Sequence, residues 1–403
     1  MSRRGSPARC LICCPLPYVG RGWPQTAVEV AQNFSGAGLE PVLVTPRLRK
    51  ALPPSLRAVE TMGFPFSRLP WRMVKARALA SFHERFARML READPTRTIA
   101  YFWPGSPPHL VQAARRAGIV SVREMINTYQ GTAKRLLDEA YGKLDLPAGH
   151  PITEQAVRDE KEELRLYDRV FAPSPLVKAS LIEAGIPESR ILLSSYGWSP
   201  ERFGAAPVRQ GLPERPFRAL FVGLACVRKG VPELLEAWDK SGVAGELLLV
   251  GDVEPALRAR VEAAVARGQV RHLPFTQDLA AHYRDADIFV FPSHEEGCPQ
   301  VTMEAAGCGL PVLATPMGAA GLVEDGRNGL VVSAGDVDGL SRALARLARD
   351  RALRETFSAR IARDAQRFTY ARVSAARAGT LADLLPMPGS SLAGIRLDQP
   401  ATA

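Results

Sequence analysis

Residues 289–312 read Phe289-Val-Phe-Pro-Ser-His-Glu-Glu-Gly-Cys-Pro-Gln-Val-Thr-Met-Glu-Ala-Ala-Gly-Cys-Gly-Leu-Pro-Val312. The order is a buried strand, a short loop, a helix and a second strand. Glu296 and Glu304 are separated by seven intervening residues within it. A strand that runs through a loop into a helix makes an anion site. The amides of the first helical turn, here near Gln300, Val301 and Thr302, have no partner within the helix and point back at the loop. Two carboxylate acceptors beside such a site suit a ligand that carries both phosphates and hydroxyls, and nucleotide sugars are the plainest of these.

The same rhythm runs outward in both directions. Leu11 to Pro17 is apolar, Gly20-Arg-Gly22 precedes a helical stretch from Gln25 to Phe34, and Pro41 to Thr45 is a second strand. Residues 98–103 and 119–123 predict further strands with a short helix, Pro108 to Ala117, between them. Arg169 to Ser174 and Ile191 to Tyr196 are strands on either side of a helix from Leu176 to Ala184. Gly204 to Pro216 is rich in Pro and Gly and reads as a linker. Alternation resumes with a strand at Phe217 to Val222, a helix at Val231 to Trp238, a strand at Glu246 to Val250 and a helix at Pro255 to Arg267. A last helix, Ala371 to Leu385, precedes a Pro/Gly/Ser/Ala-rich tail. Alternation of this kind predicts an α/β protein whose parallel strands are covered on both faces.

A chain of 403 residues exceeds one ordinary core and predicts two domains. Its composition is that of a globular protein, and no run approaches the roughly 20 apolar residues of a membrane-spanning helix. The basic start, Met1 to Arg9, leads into the short apolar stretch Cys10 to Pro17, which reads as a first strand and not as a signal peptide. Six cysteines fit buried thiols in a reducing compartment. Cys10, Cys13 and Cys14 crowd one strand without a second Cys/His pair, so they do not read as a zinc site.

The net charge of +10 is uneven: residues 1–200 carry 28 basic and 18 acidic side chains, residues 201–403 carry 24 of each. The basic half is expected to meet something anionic, against the plain alternative of a solvated surface. A helix over about Arg72 to Glu92 sets Leu79, Phe82, Phe86, Met89 and Leu90 on one side and Arg77, Arg85, Arg88 and Arg91 on the other. Phe64, Phe66, Arg68, Trp71 and Arg72 precede it. This mixture suits an anionic membrane surface. Alternatively the Leu/Phe stripe packs on the sheet like any amphipathic helix.

Phe221-Val-Gly-Leu-Ala-Cys-Val-Arg-Lys-Gly-Val231, followed by Pro-Glu-Leu-Leu-Glu-Ala-Trp238, resembles the start of the C-terminal domain of retaining glycosyltransferases of family 4. The stretch from Phe291 to Pro311 resembles that family's paired-glutamate signature. Asp168-Arg-Val-Phe-Ala-Pro-Ser174, Ala184-Gly-Ile-Pro-Glu188 and Tyr196-Gly-Trp-Ser-Pro-Glu-Arg-Phe203 agree with it. The likeness is strong from about residue 154 to 370 and weak before. It implies the GT-B fold, two Rossmann-like domains facing each other across a cleft. The domains expected are an acceptor-binding domain over 1–205 and a nucleotide-sugar-binding domain over 206–370. Residues 371–385 form a helix expected to return to the first domain, and 386–403 a loose tail.

The resemblance also implies roles. Charge that builds on a departing diphosphate is met by fixed cations, here Lys229 with Arg228. Glu296 accepts from donor-sugar hydroxyls and Glu304 from the ribose, while Gly223, Gly297, Gln300, Val301 and His294 line the donor. His294 is equally readable as a surface histidine. Three departures stand out. Leu224 occupies a place usually held by Arg. Pro299 removes an amide that would face phosphate, leaving Gln300 and Val301. No histidine ends the strand at 119–123, where Glu124 and Asn127 are the polar groups at hand. Gly20 and Gly22 resemble the family's glycine loop for acceptor and phosphates. Asp285-Ala-Asp287 directly precedes a buried strand and is not read as a metal site, so no metal and no cofactor are expected.

The implied function is transfer of a sugar, with retention, from a nucleoside-diphosphate donor to a hydroxyl of a glycan or lipid-linked acceptor, in polysaccharide or glycoconjugate synthesis. The expected place is the cytoplasm or the inner face of the membrane. The alternative is a catalytically silent relative that binds nucleotide sugar or glycan as regulator or scaffold. Nucleic acid is not an expected partner, because no stacking aromatics interleave with the basic residues on a sheet.

Overall fold

The computed structural model describes residues 7–204, 215–274, 276 and 278–386. The expected domain boundary at 205/206, most of the linker, residues 1–6 and the tail beyond 386 lie outside the described residues. The strands are β1 (Ala8–Cys13), β2 (Leu39–Thr45), β3 (Arg57–Glu60), β4 (Thr98–Phe102), β5 (Val120–Glu124), β6 (Arg169–Ala172), β7 (Ile191–Leu193), β8 (Phe217–Val222), β9 (Gly245–Val250), β10 (Val270–Leu273), β11 (Ile288–Phe291), β12 (Val312–Ala314) and β13 (Gly329–Val331).

They form two sheets, in the orders β3-β2-β1-β4-β5-β6-β7 and β10-β9-β8-β11-β12-β13. The paired registers are parallel, for example Cys10 with Pro41 and Ile99, and Leu220 with Leu248 and Phe289. Each is a Rossmann-like α/β arrangement. Inner strands such as β4 and β11 are buried at every residue, because helices cover both faces, and so they read as unbroken apolar runs. Three strands escaped the sequence pattern: β3, β10 and β13. All three are sheet edges. An edge strand is short and half-exposed, so Arg57-Ala-Val-Glu60 has no apolar run to betray it.

Contact density divides the chain into two units. One comprises 1–123, 166–168 and 374–403, and the other 124–165 and 169–373. In the first, the helix Trp71–Glu92 buries Val74, Ala78, Phe82, Phe86 and Leu90. Phe86 meets Phe102 of β4 edge-on at 5.8 Å between centroids. The apolar stripe is therefore a core face, and Leu79 and Met89, expected within it, are half-buried flanks. The last helix, Tyr370–Ala382, places Ser374 and Arg377 in this unit. The Asn33 amide donates to Ser374 Oγ (3.2 Å) and the fully buried Arg377 donates to Tyr101 Oη (2.9 Å).

In the second unit, two close approaches fix the loops that matter. Gly230 has φ +68°, and a Cβ there would lie 2.1 Å from the Pro292 carbonyl oxygen. Only glycine fits, so the turn carrying Arg228 and Lys229 presses against the end of β11. Trp198 is the second anchor. Its indole donates to the Ala365 carbonyl (2.9 Å) and its ring closes over Gly307 of the helix Gln300–Gly307. All six cysteines are buried and none is in a disulfide, and burial pushes the Cys14 thiol up to about 12.

Candidate functional site

The site lies at the C-terminal ends of β8 and β11, where an open parallel sheet offers its loops to ligand. After β8, a short turn over Val227–Lys229 brings two cations forward, and after β11 the loop 292–299 brings two carboxylates. They meet. Lys229 Nζ pairs with Glu296 Oε1 and sits 4.8 Å from the centre of the Phe291 ring. Arg228 Nη1 lies 3.4 Å from Glu296 Oε1 and 3.4 Å from Glu295 Oε2, and donates to the Glu295 carbonyl at 3.0 Å. Ser293 Oγ is 3.0 Å from both Glu296 Oε1 and the Arg228 carbonyl, and the His294 amide donates to that carbonyl at 2.9 Å. The two loops are thus laced together by backbone as well as by charge.

Burial and charge compete here. Burial depresses the pKa of the Lys229 ammonium, and Arg228 adds to this, while Glu296 works the other way. For Arg228, burial alone would lower the pKa, but Glu296 and Glu295 outweigh it and hold the guanidinium above its ordinary value. With two cations facing two carboxylates, the cluster is neutral in sum and chemically poised. An incoming anion competes for the cations, and incoming hydroxyl donors compete for the carboxylates.

Gly297 follows directly. A Cβ on it would lie 2.0 Å from the Ile126 carbonyl oxygen, so its backbone rests on residues 126–127. This brings Asn127, whose side chain is exposed, beside the loop 292–299, whereas Glu124 is fully buried at the end of β5. Of the two polar groups expected there, only Asn127 offers its side chain to solvent.

Glu304 has a separate setting. It faces Tyr283, whose hydroxyl donates to Oε2 at 3.0 Å, and burial raises its pKa against the opposing pull of Arg202 and Tyr283. No contact joins it to Lys229 or Glu296 among the described residues. The helix Gln300–Gly307 has Pro299 as its N-cap without a side-chain cap. Thr302 N is satisfied by the Pro299 carbonyl at 3.2 Å. The Gln300 side-chain oxygen accepts from Tyr370 Oη at 2.8 Å.

His294 is not on the surface. It is buried, with Nε2 2.8 Å from Glu233 Oε1 in the first turn of the helix Val231–Ser241. Gly223 has φ +141°, and Leu224 is exposed at the end of β8. In the other unit, Gly20 and Gly22 have φ of +76° and +66°, Gly22 caps the helix Trp23–Ala31, and Gly20 packs against Lys50. Asp287 of the Asp-x-Asp pair accepts from Arg218 N (2.7 Å) and Arg215 Nη1 (2.9 Å), which ties it to the start of β8.

Sequence reasoning passed over Glu295, Ser293, Thr128, Tyr283 and Glu233 as site residues. Glu295 had a signal, its place beside Glu296. Ser293 lies in the same loop and Glu233 four residues after Lys229, but neither carries a spacing that marks it, and Thr128 and Tyr283 come from other segments.

Two Rossmann-like parallel sheets, with cations and carboxylates gathered at strand ends, define a protein of the GT-B class. Residues 216–350 match the family model described as glycosyl transferases group 1, and residues 21–197 match a glycosyl transferase 4-like domain. A D-inositol 3-phosphate glycosyltransferase of Streptosporangium roseum is 30% identical over 261 residues, 58% of this chain and 60% of that protein. A GDP-mannose-dependent alpha-mannosyltransferase of Mycobacterium tuberculosis is 29% identical over 353 residues, 83% of this chain and 86% of that one. Among solved structures, the sucrose-phosphate synthase of Thermosynechococcus elongatus superposes with a TM-score of 0.70 at 21% identity, covering 94% of this chain and 98% of that one. HepE of Anabaena, solved with UDP-glucose, gives 0.69 at 17% identity, covering 94% and 100%. The chain belongs to the group 1 glycosyl transferases, family 4 of the retaining enzymes, and is a glycosyltransferase.

Proposed function

We propose that this protein moves a sugar from a nucleoside-diphosphate donor to a hydroxyl of a glycan or lipid-linked acceptor, keeping the anomeric configuration. The observation that carries the reading is the meeting of Lys229 and Arg228 with Glu296 at the ends of β8 and β11. Rupture of the sugar–diphosphate bond builds negative charge on the leaving group, which Lys229 and Arg228 stabilise. Glu296 accepts from donor-sugar hydroxyls and Glu304 from the ribose. The Gln300–Val301 turn, Gly223 and Gly297 border the diphosphate. The names of the relatives, a GDP-mannose-dependent enzyme and an inositol phosphate glycosyltransferase, support a nucleotide-sugar donor and disfavour a silent scaffold. No metal has a role in this reading, since the cations are the protein's own and Asp287 is engaged by Arg215 and Arg218.

The acceptor reading rests on the first unit. Residues 1–123 carry 19 basic and 6 acidic side chains. Phe64 and Met73 are 76% and 69% exposed, and Leu16, Val19 and Leu69 are also exposed. Arg47 donates to the carbonyls of Leu69 (2.9 Å) and Phe66 (3.0 Å), and Arg49 to that of Ser67 (2.9 Å), which fixes this segment beside the loop after β2. Exposed apolar side chains on so basic a unit, with Arg68 over the Phe64 ring, suit an anionic bilayer that presents a lipid-linked acceptor. Buried thiols outside any disulfide suit the reducing side of that membrane.

Nucleotide release from UDP-, GDP- and ADP-sugars, with and without acceptor extracts, tests the function. One donor should be turned over, and Lys229→Met should lower its kcat about 100-fold or more. Binding of a donor without any turnover would favour the silent reading.

A further inference from the structure

The site contains a carboxylate for which the transfer reaction as described has no use. Glu295 is only 1% exposed. Its Oε1 accepts both the amide and the hydroxyl of Thr128, at 3.0 and 2.8 Å. Its Oε2 faces Arg228 Nη1 at 3.4 Å, and its own carbonyl accepts from the same nitrogen at 3.0 Å. A buried carboxylate is tolerated only where donors replace water, and here those donors come from two segments far apart in sequence. Thr128 belongs to the loop after β5, and Arg228 to the turn after β8.

The guanidinium is held asymmetrically. Among the described residues, every side-chain hydrogen bond of Arg228 is made by Nη1, and its side chain is 31% exposed. A planar fork pinned along one edge presents the other edge in a fixed direction. A free arginine at a loop tip would instead have to lose rotamer freedom as ligand bound.

We propose that Glu295 is a positioning residue. Anchored by Thr128, it pins the inner edge of Arg228 so that the outer edge stands ready for the donor diphosphate. The proposal rests on the donor-site reading above, and it assigns the orientation of Arg228 to this neighbour of Glu296. In this role Glu295 acts through Arg228 and not on the donor itself. Its carboxylate must be ionised and Thr128 must keep its hydroxyl for the clamp to hold.

A double-variant cycle tests this, with UDP, GDP and ADP titrated calorimetrically into wild type, Glu295→Gln, Arg228→Met and the combined variant. Glu295→Gln keeps an oxygen for Thr128 but loses the charge facing Arg228. It should weaken the best-bound diphosphate about tenfold, whereas in the Arg228→Met background the same change should cost less than about twofold. Glu295→Asp, which keeps the charge but draws it back, should show the same dependence on Arg228, and it serves should Glu295→Gln fail to fold. Equal losses in both backgrounds, or a fall in Tm without loss of affinity, overturn the positioning role alone. A wild type that binds none of the three diphosphates overturns the donor-site reading and this proposal with it.

Discussion

Tyr283 donates its hydroxyl to Glu304 Oε2 at 3.0 Å, and both side chains are buried. The tyrosine is at once a support for the carboxylate and a sign of its cost. Burial raises the Glu304 pKa above its ordinary 4.5, and it raises that of Tyr283 too, with the Glu304 charge adding to the effect. A carboxyl that binds its proton more tightly in the folded state makes the fold less stable as pH rises from about 4.5 through the raised pKa. Glu304→Gln should therefore melt at a higher temperature than wild type at pH 7, with the difference closing towards pH 4. It should also lose nucleotide binding. A variant equally stable at both pH values would remove Glu304 from its buried setting.

Tyr283→Phe leaves the same carboxylate one donor short. The expected loss is about 1–3 kcal/mol at pH 7, read from urea unfolding. It should shrink in acid, where Glu304 is protonated.

Lys229 must be cationic to meet a diphosphate, and burial depresses its pKa. Affinity for a nucleoside diphosphate should thus fall as pH rises towards the ordinary lysine value from below. Lys229→Arg, which cannot deprotonate in this range, should abolish that fall, and the difference between the two curves cancels titration of the ligand. Glu296→Gln should move the loss to lower pH, because the neighbour that favours the charged form is gone. Identical curves for wild type and Lys229→Arg would mean that another group governs the pH dependence.

Gly297 has no room for a methyl group, since the Ile126 carbonyl lies 2.0 Å from where it would sit. Gly297→Ala should cost about 1–3 kcal/mol through displaced backbone and weaken diphosphate binding along with it. Chemical denaturation checks the first and calorimetry the second. A neutral substitution would show that the loops 126–127 and 295–297 separate freely.

Phe64 and Met73 are exposed and contribute little to the core. Replacing both with Glu should leave Tm unchanged and reduce sedimentation with vesicles of roughly one-third anionic lipid by about tenfold or more. High salt should weaken wild-type binding as screening shortens the reach of the arginines. Binding of the double variant equal to that of wild type would dismiss this patch as the docking face.

Much of the architecture was legible because it is written in local pattern. Buried parallel strands announce themselves as apolar runs, and Glu296, Glu304 and the Arg228-Lys229-Gly230 turn stand at spacings set by one strand, one loop and one helix. Edge strands such as Arg57–Glu60 lacked that signature because solvent touches them. His294 could not be placed, since its partner Glu233 is 61 residues away.

The sequence by itself determined the α/β class, the family and the residue types at the strand ends, because each depends on neighbours within a few turns of chain. Tertiary structure alone decided which charges meet. Lys229 reaches Glu296 across 67 residues, and Thr128 reaches Glu295 across 167. The pairing of β8 with β11 brings Lys229 and Glu296 together, whereas Thr128 and Glu295 follow strands of different sheets, and no periodicity in the chain encodes either meeting. It likewise decided that Phe82 and Phe86 are core while Phe64 faces solvent, because the contribution of an apolar side chain depends on what covers it.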